Sequence, residues 1–153
     1  MKPLRLLAAA CLVLTASSAL AEDKKADEVV PLTFKELAKA SHKENSAPVI
    51  PEDLKKLDGK HVRLTGFVAP YTDPENMAKF MLTEGAVGCF FCNPPEENGV
   101  VFVRLPAKAK PIPFESDTLT VEGVLHFMGH NKKDEEAEGF LFTIDEAKVV
   151  GKK

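Results

Sequence analysis

His61-Val-Arg-Leu-Thr-Gly-Phe-Val68 alternates apolar and polar side chains with a period of two. Val62, Leu64 and Val68 share one face with Gly66, while His61, Arg63 and Thr65 share the other, the pattern of a half-buried strand. A glycine inside such a strand often marks the bend of a small barrel. The same device recurs over residues 118–127, where Leu119, Val121, Leu125 and Phe127 face inward around Gly123. Three shorter runs, 80–83, 100–105 and 140–145, are rich in aromatic and branched residues and bounded by turn formers. In the last, Phe140, Phe142 and Ile144 fall on one face, and the run continues loosely to Val150. Five short strands, two bent at a central glycine, predict a mainly β chain folded as a small five-stranded OB-like antiparallel barrel. Residues 106–113 hold three prolines and no helical period, so the link between the third and fourth strands is read without a helix.

Upstream of the barrel, Thr33 and Glu36 form a Thr-x-x-Glu capping box, with Leu32 and Leu37 as its hydrophobic staple. They predict an N-terminal helix over residues 33–44, broken by Ala47-Pro-Val-Ile-Pro51. Pro51 suits the first position of a short helical turn over 52–57, stopped at Asp58-Gly59.

The first 21 residues carry the marks of a secretory signal: Lys2 and Arg5, an apolar run from Leu6 to Leu14, and Ala19-Leu20-Ala21 as a cleavage site. That run is too short to span a bilayer. Cys11 lacks the large aliphatic residue expected three positions before a lipidated cysteine, so cleavage before Glu22 is preferred. Export to the periplasm or beyond is the expectation, with a charged flexible leader over 22–31 and one domain over 32–153. Without Lys2 and Arg5, the mature chain keeps 18 of its 20 basic residues against 23 acidic ones, a formal charge of −5. It lacks the basic footprint of a nucleic-acid binder.

Between the second and third expected strands lies Gly85-Ala-Val-Gly-Cys89-Phe-Phe-Cys92-Asn-Pro-Pro95. After cleavage, Cys89 and Cys92 are the chain's two cysteines. Three chemistries fit a C-x-x-C in an oxidising compartment. A disulfide would close a very small loop and so stabilise less than a long-range bridge. A metal site would add His126 and His130, from His126-Phe-Met-Gly-His130, to make a set of four tetrahedral zinc ligands. Met128 between them would also suit copper(I). A thiol–disulfide enzyme would need a low-pKa thiolate, for which neither a helix N-terminus, a neighbouring cation nor a βαβ context is evident.

Elsewhere the simpler reading is favoured. His42 and His61 read as solvated surface residues, and Asp134, Glu135, Glu136 and Glu138 as a solvated charged loop. Met77 and Met81 read as core filling. Phe67, Phe90 and Phe91 offer a stacking surface that, without basic partners, would suit a peptide, lipid or protein. No Ser-His-Asp order, phosphate-binding glycine loop or carboxylate pair supports an enzyme.

The segments Leu57-Asp-Gly-Lys-His-Val-Arg-Leu-Thr-Gly-Phe-Val-Ala-Pro70, Phe80-Met-Leu82, Cys89-Phe-Phe-Cys-Asn-Pro-Pro95 and Val100-Val-Phe-Val103 together resemble a bacterial exported family catalogued as domain-of-unknown-function family 3299. The resemblance covers residues 33–150, and Cys-x-Phe-Cys-x-Pro-Pro is its most specific part. It implies export, and some members are similar to accessory components of membrane transport systems. Cys89 and Cys92 match its motif; His126 and His130 do not. The residues thus point to a non-catalytic binding or accessory protein with a cell-envelope partner.

Overall fold

The computed structural model describes residues 28–41, 46–86, 95–127, 135–137 and 139–152. Six strands form one sheet: β1 (Val30–Leu32), β2 (His61–Pro70), β3 (Lys79–Thr83), β4 (Val100–Arg104), β5 (Thr118–Phe127) and β6 (Phe142–Lys152). Their order is β1-β2-β3-β4-β6-β5, and β5 pairs back onto β2, which closes β2 to β6 into a five-stranded barrel. The expected barrel is therefore present. It is not wholly antiparallel: Val101, Phe102 and Val103 of β4 run parallel to Phe142, Thr143 and Ile144 of β6.

Closure follows from the alternation already visible in β2 and β5. Val62, Leu64 and Val68 point inward with Leu119, Val121, Leu125 and Phe127, and meet Phe80, Leu82, Val101, Val103, Phe142 and Ile144 in one core. Each fully buried phenylalanine here contributes roughly 2–3 kcal/mol of apolar transfer free energy. The outward face of the same ladder is polar. Arg63 Nε donates to Glu122 at 2.7 Å, and the Thr65 and Thr120 hydroxyls lie 2.8 Å apart. These are directly opposed cross-strand pairs.

Both central glycines mark close approaches. A Cβ on Gly66 would lie 2.8 Å from the Phe34 ring and from the Thr83 carbonyl oxygen. Gly123 faces an irregular stretch of β6: Glu122 pairs with Lys148 and Val124 with Asp145, so β6 holds one extra residue there. This is a β-bulge, and Glu146 within it has a φ of 51°.

Four features differ from the sequence expectation. The chain is already in the sheet at Val30, where β1 pairs in parallel with Val62–Leu64. β2 continues through Ala69 and Pro70, which pair with Met81 and Phe80. The N-terminal helix, α1, is a single turn, Phe34–Leu37, instead of the longer helix expected to reach residue 44. Its capping box is formed, but Asn98 Nδ2 donates to the carbonyls of Ala38 and Ala40, at 3.3 and 3.0 Å. Ser41 then bridges Val49, so an outside amide and a β-bridge terminate the helix. A second turn, α2 (Glu52–Lys55), follows as expected. Phe140, finally, precedes β6 and packs outside the barrel, away from Phe142 and Ile144.

Candidate functional site

One end of the barrel gathers the connections that the sequence singles out. Thr83, last in β3, pairs with Val100; Val101 pairs with Phe142, and Phe142 with Phe127. Residues 84–99 and 128–141 therefore leave the β3-β4-β6-β5 ladder at the same end. At the root of the first connection, Thr83 Oγ1 donates to the Gly85 carbonyl at 2.8 Å.

Of the four residues expected to ligate metal, Cys89, Cys92 and His130 lie outside the described residues, as does Met128. His126 is on the outward face of β5, as its position opposite to Leu125 and Phe127 predicts. Its Nδ1 lies 3.4 Å from Asp58 Oδ1, and the imidazole is 16% exposed. Asp58 stands in the turn before β2, locked to β5 by the Gly59 amide donating to the Leu125 carbonyl at 2.8 Å. Among the described residues no three histidine, cysteine or acidic side chains lie close enough together to hold a metal ion.

His61 is half-buried on the outward face of β2, opposite Val124, and His42 lies outside the described residues. Met77 fills the main core, while Met81 belongs to a second, smaller cluster on the outside of the barrel. Phe67 is half-buried opposite Thr118; Phe90 and Phe91 lie outside the described residues. Glu135 and Glu136 are exposed, yet their segment does more than meet solvent. Glu136 pairs with Lys79, and Ala137 and Phe140 pack on the outer cluster.

A second feature had no sequence signal. Arg104, at the end of β4, grips Asp145 of β6 with both arms of its guanidinium, Nε to Oδ1 at 2.7 Å and Nη2 to Oδ2 at 2.9 Å. The two side chains are 23% and 27% exposed. They line a cleft of about 550 Å³ together with Lys79, Glu146, Leu105, Pro106 and Pro111. The residues stand 41 positions apart and meet through the β4–β6 register, which no local spacing encodes.

A family model described as a protein of unknown function, DUF3299, matches residues 14–149. The chain belongs to the DUF3299 family. A solved structure of another DUF3299 family protein, from Pseudomonas aeruginosa PAO1, has the same fold, with a TM-score of 0.54 at 20% sequence identity. The match spans 82% of this DUF3299 chain and 99% of the other. No curated protein matches the chain. No helix among the described residues is long and apolar enough to cross a membrane.

Proposed function

We propose that this DUF3299 chain is an exported, non-catalytic accessory protein of the cell envelope whose Cys89 and Cys92, with His126 and His130, hold zinc or copper(I). The observation that carries the reading is the shared barrel end, from which the cysteine-bearing and histidine-bearing connections both leave. Thiolate and imidazole are the ligand types those ions favour. A carboxylate beside His126 Nδ1, here Asp58, is the kind of outer partner that orients a ligating imidazole. The strand order, β2-β3-β4-β6 and then β5 returning to β2, supports assignment of the barrel to the OB type. Association with a transport system rests on the family resemblance, and export on the signal sequence.

The test is to purify the protein from periplasm without reductant or chelator, then measure intact mass and bound zinc and copper together. Two free thiols with near-stoichiometric metal support the reading. A mass lighter by two hydrogens, with no metal, overturns it in favour of an interaction module stapled by a Cys89–Cys92 disulfide. Changing both His126 and His130 to Ala should weaken metal binding by on the order of tenfold or more. Unchanged affinity would remove the histidines from the site.

A further inference from the structure

Asn98-Gly99 is the one Asn-Gly pair in the sequence. The two residues close the 3-10 turn, Glu97–Gly99, that leads into β4. Asn98 ties that turn to α1. Its Nδ2 donates to the Ala38 carbonyl at 3.3 Å and to the Ala40 carbonyl at 3.0 Å. These carbonyls end the single helical turn that seats Phe34 and Leu37 in the core, and Ala40 is itself buried. The side-chain amide thus supplies the donors that a longer helix would have supplied from its own backbone.

An asparagine followed by glycine is the pairing in which a side-chain amide is most open to attack by its own backbone, because the next residue has no Cβ to crowd the nitrogen. The surroundings add no crowding here: a Cβ on Gly99 would meet nothing within 4 Å. What restrains the reaction is hydrogen bonding. The Gly99 amide, which is the nucleophile, donates to the Glu96 carbonyl at 2.8 Å. Nδ2, which is the leaving group, is held by the two α1 carbonyls.

We infer that Asn98 is a self-modification site, shielded while its turn is docked on α1 and converted to a carboxylate once the turn is released. The Gly99 amide gives its proton to hydroxide, its nitrogen bonds to Asn98 Cγ, and the Cγ–Nδ2 bond breaks. Nδ2 takes a proton from water and leaves as ammonia. Water then opens the cyclic imide at either of its carbonyl carbons, which leaves aspartate or isoaspartate at position 98. Either product places an ionised, acceptor-only group where two carbonyl oxygens need donors, so the turn cannot dock on α1 as before. A reversible opening of the N-terminal turn thereby becomes a permanent one.

The test incubates the full chain beside a synthetic peptide of residues 96–101, Glu-Glu-Asn-Gly-Val-Val, at mildly alkaline pH. Peptide mapping by mass then reads the replacement of an amide by a carboxyl group at Asn98. The folded chain should convert about tenfold or more slowly than the peptide, since a shielded group reacts only through its open fraction. Thr33→Ala, which loosens α1 from its other end, should speed conversion in the chain by about fivefold. Gly99→Ala, whose Cβ obstructs the attack without meeting a neighbour, should stay unconverted. Asn98→Asp should melt below the unaltered chain. Should that variant fail to fold, chain aged to full conversion, set against Gly99→Ala aged alongside it, gives the same reading. Equal rates for chain and peptide overturn the inference, as does an unchanged rate in Thr33→Ala. So does a converted chain that melts with the unaltered one, because Asn98 is then not the tie to α1.

Discussion

Gly123 on β5 lies directly against the Asp145 carbonyl of β6: a Cβ at Gly123 would sit 2.6 Å from that oxygen, 2.6 Å from Ile144 Cγ2 and 3.0 Å from the Ala147 Cα. Two of these three neighbours are backbone, fixed by the bulge that puts Glu146 in the left-handed region. The glycine and the bulge are therefore one device. Close approach of the strands lets β6 leave β4 after Ile144 while staying paired with β5 to Lys152.

Gly123→Ala should accordingly destabilise the fold by about 2–3 kcal/mol, the cost of forcing a methyl group into a packed site that cannot yield. Gly99→Ala is the control, since a Cβ there meets nothing within 4 Å and the glycine's φ is not positive. It should change stability by less than about 0.5 kcal/mol. Urea unfolding of the two variants checks this: the Gly123→Ala midpoint should fall with an unchanged slope. Equal midpoints would mean that the bulge relaxes freely.

The Arg104–Asp145 pair gives a second expectation. Its two parallel bonds need a planar fork, which lysine lacks. Arg104→Lys should cost about 1 kcal/mol or more although the charge is kept. A double-mutant cycle with Asp145→Asn should give a coupling energy of about 1 kcal/mol, above that of a fully exposed pair. A coupling near zero would show that the cleft wall is held by strand pairing alone.

The barrel was legible because its information is local. Alternation in β2 and β5, with Gly66 and Gly123 at the bends, requires only neighbouring residues to read. The parallel β4–β6 contact was not legible, since it depends on where two distant strands fall in register. Phe140 was placed inside the barrel for a related reason. Its spacing from Phe142 and Ile144 continues the period of two, but the chain joins β6 only at Phe142, and the ring stacks outside on Phe102. At the candidate site, alternation correctly put His126 on the outward face; its Asp58 partner comes from another turn, 68 positions away, beyond any motif. The capping box at Thr33 and Glu36 was readable, whereas the early end of α1 depends on Asn98, 60 and 58 residues from the carbonyls it satisfies.

That capping box carries a prediction of its own. Thr33 Oγ1 accepts from the Glu36 amide at 3.3 Å, and a Glu36 carboxylate oxygen accepts from the Thr33 amide at 2.9 Å. With one turn of helix, the cap is a large part of what holds Phe34 and Leu37 in the core. Thr33→Ala should cost about 1 kcal/mol. Thr33→Ser, which keeps the acceptor, should recover most of that in thermal melts. No difference between the two would assign the turn's stability to the burial of Phe34 and Leu37 alone.

Asp73 sets the acid limb of the turn between β2 and β3. Its carboxylate accepts from the Glu75 amide at 2.9 Å and from Asn76 Nδ2 at 3.2 Å. The backbone bond first, and the Asn76 bond second, hold its pKa below the ordinary 3.8. Both bonds favour the charged form, so the folded state binds the Asp73 proton less tightly than the unfolded chain does. The resulting stabilisation is complete above 3.8 and is lost as pH falls through the lower, folded value. Asp73→Asn should flatten that part of the stability-versus-pH curve while leaving its shape above pH 5 unchanged. Carboxyl NMR titration gives the direct reading: Asp73 should titrate below 3.8, and Asn76→Ala should move it part of the way back up. If Asn76→Ala leaves the titration unmoved, the Glu75 amide is responsible for the whole shift.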